Sequence, residues 1–256
     1  MSRSIEQIVN QQVLRWEEQR AAAQRASRPP PELSQPVLTI SRQFGALGGD
    51  VGKLVARNLG YSFYAQELVH EISKHAHVRR KIVESLDERL RSGIAEWVSR
   101  KIDGGGFASS DYLRNLSQVL LTIGKHGKAV IVGRGAHLLL DPGHTLRVRC
   151  YAPLPWRVEQ IARREGIGLS AAAQYVQRVD AERDAFFRQF FDVDINDPQQ
   201  FDVLLNTATH PLEVCAELLT QALMTRFGDQ VLPAAPASTV RHKKPAADDD
   251  GRALAG

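Results

Sequence analysis

Two cysteines in 256 residues, Cys150 and Cys215, are too few for a disulfide framework or a four-thiolate zinc site, and they fit a reducing, cytoplasmic setting. No apolar run approaches the ~18–20 residues of a membrane span, and residues 1–20 lack the apolar core of a signal peptide, so no membrane partner is expected. Charge of one sign is also scarce. The 33 Lys and Arg against 29 Asp and Glu leave a net charge of only +4, which does not by itself imply nucleic acid but leaves room for an anion held locally. No basic stripe with exposed aromatics appears, so a nucleic-acid partner is not expected either. The eight histidines lack the cysteine or carboxylate spacing of a zinc site, even where His70, His75 and His77 cluster. What is present is ordinary for a globular chain: 43% hydrophobic residues, over a length that builds a full core without staples.

The chain divides into three parts by composition. Residues 1–36 hold an N-terminal helix and a proline-rich linker. Ser4 and Gln7 have capping-box spacing, and Ile5, Ile8, Val9, Val13 and Trp16 follow on one helical face. That face must dock on the main domain or on a second copy in a homodimer, and docking on the main domain is favoured. Pro29, Pro30, Pro31 and Pro36 end the helix. Residues 229–256, rich in Ala, Pro and charge without periodicity, read as a disordered tail. Between them, residues 37–228 alternate. Strands are expected at Val37–Ser41, Ala129–Val132, Leu146–Tyr151 and Val203–Leu205, and helices at 50–59, 66–76, 79–100, 110–124, 155–165, 170–190 and from Pro211. This alternation predicts a doubly wound α/β domain with a parallel sheet, whose ligands sit outside the carboxyl ends of its strands.

The segment Ser41-Arg42-Gln43-Phe44-Gly45-Ala46-Leu47-Gly48-Gly49-Asp50 leaves the first strand and opens a helix. Glycines let backbone amides converge on a phosphate, and a helix N-terminus adds a favourable dipole. The full G-x-x-x-x-G-K-[ST] motif is absent: Gly48 stands where its lysine would be. The alternative is a tight turn that binds nothing. Asp50 either caps the helix or places a carboxylate beside the phosphates, where Mg²⁺ or an arginine must offset it. Arg42 and Lys53 are the two cations able to replace the lysine.

This opening resembles the cytidylate-kinase-like family of P-loop proteins, whose pattern is I-S-R-x-[FY]-G-S-G-G-x-x-[IV]-G. Three further segments agree in order: Ala129-Val130-Ile131-Val132-Gly133-Arg134-Gly135-Ala136; Leu146 to Pro153 with Trp156-Arg157-Val158; and Asp180-x-x-Arg183, followed by Phe186 to Phe191 and Phe201 to Thr207. Together they span about residues 37–225. The resemblance implies a three-layer α/β/α P-loop fold with a helical section that binds a nucleoside monophosphate and a mobile lid. It also implies transfer of the γ-phosphoryl group of ATP, with Mg²⁺, to cytidine monophosphate or a related acceptor, nucleotides being the small-molecule partners. The loss of the lysine supports a second reading, a catalytically degenerate module that binds a nucleotide or regulates.

Phosphoryl transfer is mainly charge management, and the planar donor fork of arginine suits phosphate. Arg178, Arg183 and Arg188 recur every five residues, so on one regular helix they are offset by ~140° and cannot share a face. Alignment with the lid of related kinases puts Arg183 first for the transferring phosphate, with Asp180 one turn earlier as its i,i+3 partner. Arg134, between two glycines after a buried strand, is where the family's acceptor phosphate is expected. Tyr64 resembles the family's Phe-Tyr pair and is a candidate acceptor contact or a core residue. The nucleotide-binding set is then Arg42, Gly45, Ala46, Gly48, Gly49, Asp50 and Lys53; no residue is assigned to a resident metal.

Overall fold

The computed structural model describes residues 4–25, 35–102, 104–105 and 110–231. The proline linker at 26–34 and the chain from 232 onward therefore lie outside the described residues. Five strands, β1 (Val37–Arg42), β2 (Ser62–Tyr64), β3 (Ala129–Val132), β4 (Thr145–Tyr151) and β5 (Val203–Asn206), form one sheet in the order β2-β3-β1-β4-β5. Every pairing is parallel. Side chains alternate across a strand, and here both faces are covered, which is why β3 reads as an unbroken apolar run and β1 as a mostly apolar one in which Thr39 and Ser41 are buried as well. Leu38, Ile40, Val130, Val132 and Val148 face α2 (Gly48–Leu59) and α10 (Leu212–Phe227). Val37, Ala129 and Ile131 face α3 (Gln66–Lys74), α6 (Asp111–His126) and α7 (Ala136–Leu139). The result is the three-layer α/β/α fold that the sequence pattern predicts.

Between α3 and α6 the expected helix at 79–100 is two, α4 (Ala76–Glu84) and α5 (Glu88–Ile102). The Ser85 hydroxyl donates to the Ile82 carbonyl at 2.6 Å, and Asp87 Oδ1 accepts the Leu90 amide at 3.0 Å. Short polar side chains that bond the local backbone end one helix and cap the next. Helix α1 (Ile5–Arg25) starts with the predicted capping box: the Ser4 amide donates to Gln7 Oε1 at 2.9 Å and the Gln7 amide to Ser4 Oγ at 3.2 Å. It lies against α3 and α4, and Trp16 stacks on His126 with ring centroids 3.6 Å apart. The face a homodimer through α1 would use, carrying Val9 and Trp16, is thus buried in the same chain. Helices α8 (Leu154–Glu165) and α9 (Leu169–Phe191) pair over Val158, Ile161, Ala172 and Val176 and stand above the carboxyl end of the sheet. At the far end, Gly228–Gln230 form a 3-10 turn and Val231 is buried. No helix among the described residues is long and apolar enough to cross a membrane.

The chain crosses from one side of β1 to the other between β3 and β4, so the carboxyl end of β1 is the switch point where α/β sheets bind ligands. The turn at the end of β3 is fixed by α7, whose His137 is 5% exposed. Its ring stacks on Phe201 at 4.8 Å, and Nε2 donates to Gln200 Oε1 at 3.3 Å. Burial lowers its pKa from the ordinary 6.5 to about 4. A histidine held neutral contributes stability that is complete above the unfolded pKa and is lost as pH falls toward the folded one. Thermal melts should therefore lose stability between about pH 6.5 and pH 4 more steeply in the wild type than in His137→Gln. Parallel slopes would contradict this.

Candidate functional site

The loop after β1 is built from two left-handed residues and a helix start. Gly45 has φ 83° and Leu47 φ 51°, and α2 begins at Gly48. Some loop amides are engaged: Gln43 N–H donates to the Cys150 carbonyl at 3.0 Å, Ala46 N–H to Gln43 at 3.2 Å and Asp50 N–H to Leu47 at 2.9 Å. Phe44 N–H donates to Asp180 Oδ1 at 2.8 Å. Among the described residues, the amides of Gly45, Leu47, Gly48 and Gly49 reach no protein acceptor. Unpaired amides at the positive end of a helix are an anion site. Gly48 cannot be the missing lysine or any other larger residue without a shift of both strands, because a Cβ there would lie 2.9 Å from the Cβ atoms of both Arg42 and Cys150.

Three arginines surround this loop and line one cavity of about 260 Å³, together with Ser41, Gln66 and Phe186. Arg42 donates through Nη2 to Gln66 Oε1 at 3.1 Å. Arg183, from α9, donates through Nη1 to the Arg42 carbonyl at 3.0 Å. Arg134 is left-handed, φ 57°, between Gly133 and Gly135 at φ 81° and 71°. Its guanidinium lies 5.7 Å from the Phe186 ring centroid, and its buried Nε has no hydrogen-bond partner. Among the described residues none of these three reaches a carboxylate within ion-pair distance, whereas Arg147, Arg157, Arg163, Arg164, Arg178 and Arg226 all do. Burial, then the charge of Arg183, pushes the Arg42 pKa down to about 9, and burial pushes that of Arg183 down to about 10. Enclosed, unneutralised guanidinium groups are costly until an anion joins them. A larger apolar cavity of about 580 Å³, lined by Leu90, Trp97 and Leu140, opens beside Val37 and Thr145 at the opposite end of the sheet. Charge, not size, therefore locates the site.

Several expected site residues stand elsewhere. Asp180 does not orient Arg183: its Oδ2 pairs with Arg157 Nη1 at 2.5 Å, and its Oδ1 takes the Phe44 amide. Arg178 pairs with Glu182 at 2.8 Å on the exposed side of α9, and Arg188 is also exposed, as the ~140° offset requires. Asp50 and Lys53 bond each other at 3.4 Å, 45% and 63% exposed, and neither lines a cavity with the arginines. Arg42 is therefore the cation beside the vacant lysine position. Tyr64 is 4% exposed in the core against Val69 and Ile72, and burial raises its pKa. Gln66, two residues on, is what reaches the cavity. Ala46 contributes its carbonyl to the Thr207 hydroxyl at 2.8 Å. Sequence reasoning missed Ser41, Gln66, Arg149 and Arg157. Ser41, Arg149 and Arg157 lie inside the matched segments, where nothing local separates a site residue from a strand or helix residue, whereas Gln66 lies outside them and is brought in by topology. No group of three or more His, Cys, Asp or Glu able to hold a metal occurs among the described residues.

Asp180 ties α9 to the loop while neutralising Arg157, whose side chain is 8% exposed against 27% for the aspartate. Breaking such a pair leaves a buried charge alone, so Asp180→Ala should lower unfolding free energy by about 2 kcal/mol, reduced from the fully buried value by partial exposure. Asp180→Asn, which still accepts from Phe44, should lose less. Urea unfolding measures both, and equal stability in all three proteins would refute the clasp.

A cytidylate kinase of Pyrococcus horikoshii is 27% identical over 95 residues, 37% of this chain and 49% of that protein. One from Methanocaldococcus jannaschii is 27% identical over 104 residues, 40% of this chain and 58% of that protein. The chain thus spans about half the length of the curated relatives it matches. An uncharacterised protein from Eubacterium ventriosum shares the fold, with TM-score 0.52 and 16% identity over 74% of this chain and 98% of that one. Residues 37–209 match the cytidylate kinase-like family, and the chain belongs to that family.

Proposed function

We propose that the protein transfers the γ-phosphoryl group of ATP to cytidine monophosphate or a related nucleoside monophosphate. The observation that carries this reading is the convergence of Arg42, Arg134 and Arg183 on one cavity beside four loop amides, the arginines having no ion-paired carboxylate and the amides no protein acceptor among the described residues. In the reaction an acceptor phosphate oxygen bonds to the γ-phosphorus while the β–γ bridging P–O bond breaks, leaving ADP. The protein's part is to position the two anions and hold the developing charge. The loop amides bind the donor phosphates. Arg42, held by Gln66, supplies the charge the lysine would have carried. Arg183 lies against the transferring group, and Arg134, on its rigid glycine turn, holds the acceptor phosphate. Mg²⁺ bound with the polyphosphate would shield its charge, and would need only one or two protein carboxylates. Asp50, exposed at the loop with Lys53 as a loose partner, fits that need.

A non-catalytic nucleotide-binding module is the second reading, favoured by the lysine position that only glycine fills. Measuring ADP release with CMP, dCMP, UMP and AMP separates the two: turnover with at least one acceptor is expected, and tight ATP binding without turnover would establish the module. Arg42→Ala should lower kcat/KM by about 10²–10³-fold, the usual effect of removing one preorganised charge donor. Unchanged ATP affinity and rate in that variant would remove Arg42 from the mechanism.

A further inference from the structure

Two arginines stand two residues apart on β4 and therefore on one face of the sheet, yet they are treated in opposite ways. Arg147 is neutralised: its Nη2 and Nε donate to the two oxygens of Asp202 at 2.8 and 3.2 Å. Arg149 is more deeply buried, 7% exposed, and its hydrogen bonds go to neutral groups. Nη1 donates to Ser41 Oγ at 2.8 Å and Nη2 to Asn196 Oδ1 at 2.9 Å, and the guanidinium lies 5.9 Å from the Phe201 ring centroid. A charge this enclosed is normally paired. Arg149 sits at the carboxyl end of β4, in register with Ser41 at the end of β1, so its position is that of the ligand edge.

Arg149 also lines a second cavity, of about 170 Å³, with Arg42, Arg183, Asp180 and Asp184 among the other walls. Arg42 and Arg183 border both cavities, so this space adjoins the first. Its volume equals roughly five or six waters, enough for a phosphate group and too little for a nucleotide. Of the two carboxylates facing it, Asp180 is committed to Arg157 and the Phe44 amide. Asp184 makes no hydrogen bond among the described residues, and burial raises its pKa. Burial lowers the pKa of Arg149 while Asp180, Asp184 and Asp194 act to raise it, and the charge of Arg149 helps to lower the pKa of Arg183. An anion between them would remove that repulsion.

We infer that Arg149 is a further phosphate-contacting residue of the site, seated by Ser41 and Asn196 so that its charge stays available for a phosphoryl group entering between it and Arg183. This rests on the phosphotransferase reading and adds a residue to it. Ser41 and Asn196 fix the guanidinium without neutralising it, and Asp184 is the only carboxylate on that cavity's wall left to compete with the incoming group.

The test uses the full chain, inorganic tripolyphosphate and EDTA, with thermal unfolding and calorimetric titration as readouts. Tripolyphosphate should stabilise the wild type. Arg149→Met should bind it about tenfold or more weakly, the usual worth of a charge-assisted hydrogen bond, while the unliganded protein keeps its stability. Arg147→Met should do the reverse, lowering unliganded stability and keeping the affinity. Asp184→Asn should tighten binding several-fold, which keeps the inference open to refutation even if Arg149→Met does not fold. Unchanged affinity in Arg149→Met, or in Asp184→Asn, overturns the role of Arg149. A wild type indifferent to tripolyphosphate overturns the phosphotransferase reading itself and the inference with it.

Discussion

Positive charge enclosed without an ion-paired carboxylate among the described residues governs the carboxyl edge of this sheet. Elsewhere among the described residues six arginines are matched with carboxylates at short range, as at Arg147 with Asp202 and Arg226 with Asp202. At the switch point Arg42, Arg134 and Arg183 are left with a side-chain amide, an aromatic face and a backbone carbonyl. Folding around unneutralised guanidinium groups sacrifices stability, and burial already lowers the proton affinity of Arg42 and Arg183. Such a sacrifice is the mark of a site whose missing charge arrives with its ligand.

The clasp at Asp180 gives that charge a fixed geometry. Its carboxylate holds the Phe44 amide and Arg157 together, and Arg157 Nη1 also donates to the Phe44 carbonyl at 3.0 Å. The Phe44 ring meets Tyr175 edge-on at 5.0 Å and lies under Arg164 and Arg183 at 5.6 and 5.3 Å. One loop residue is thus gripped by α8 and α9 through backbone and ring alike. These contacts tie α8 and α9 to the loop after β1, and α9 is the helix that carries Arg183.

Much of this fold was legible because its signals are local. A short apolar, β-rich run marked β1 and a continuous one marked β3, glycine marked the end of α2 at Gly60, and Ser4 with Gln7 marked the start of α1. β2 escaped because three residues at a sheet edge show no period, and the break at Ser85–Asp87 lay in side chains bonding their own backbone. The site was legible where sequence constrains backbone, at Gly45 and Gly48 and at Arg134 between its glycines. It was misleading where tertiary partners decide. Asp180 and Arg183 have i,i+3 spacing, yet Arg157 from another helix captures the carboxylate. Tyr64 follows the family's order and still turns into the core. Gln66 gave no local signal, and Arg149 stood unmarked within a matched strand, since strand order and helix packing bring them to Arg42 and Ser41.

The central claim is that the loop after β1 is an amide cradle for polyphosphate, completed by Arg42 in place of a lysine. Titrating the ¹⁵N-labelled chain with a non-hydrolysable ATP analogue tests it most directly. The account predicts that the amide signals of Gly45, Leu47, Gly48 and Gly49 shift together along one saturable curve, accompanied by the Arg42 and Arg183 side chains. If the analogue binds while those four amides stay in place, or does not bind at all, the account is wrong.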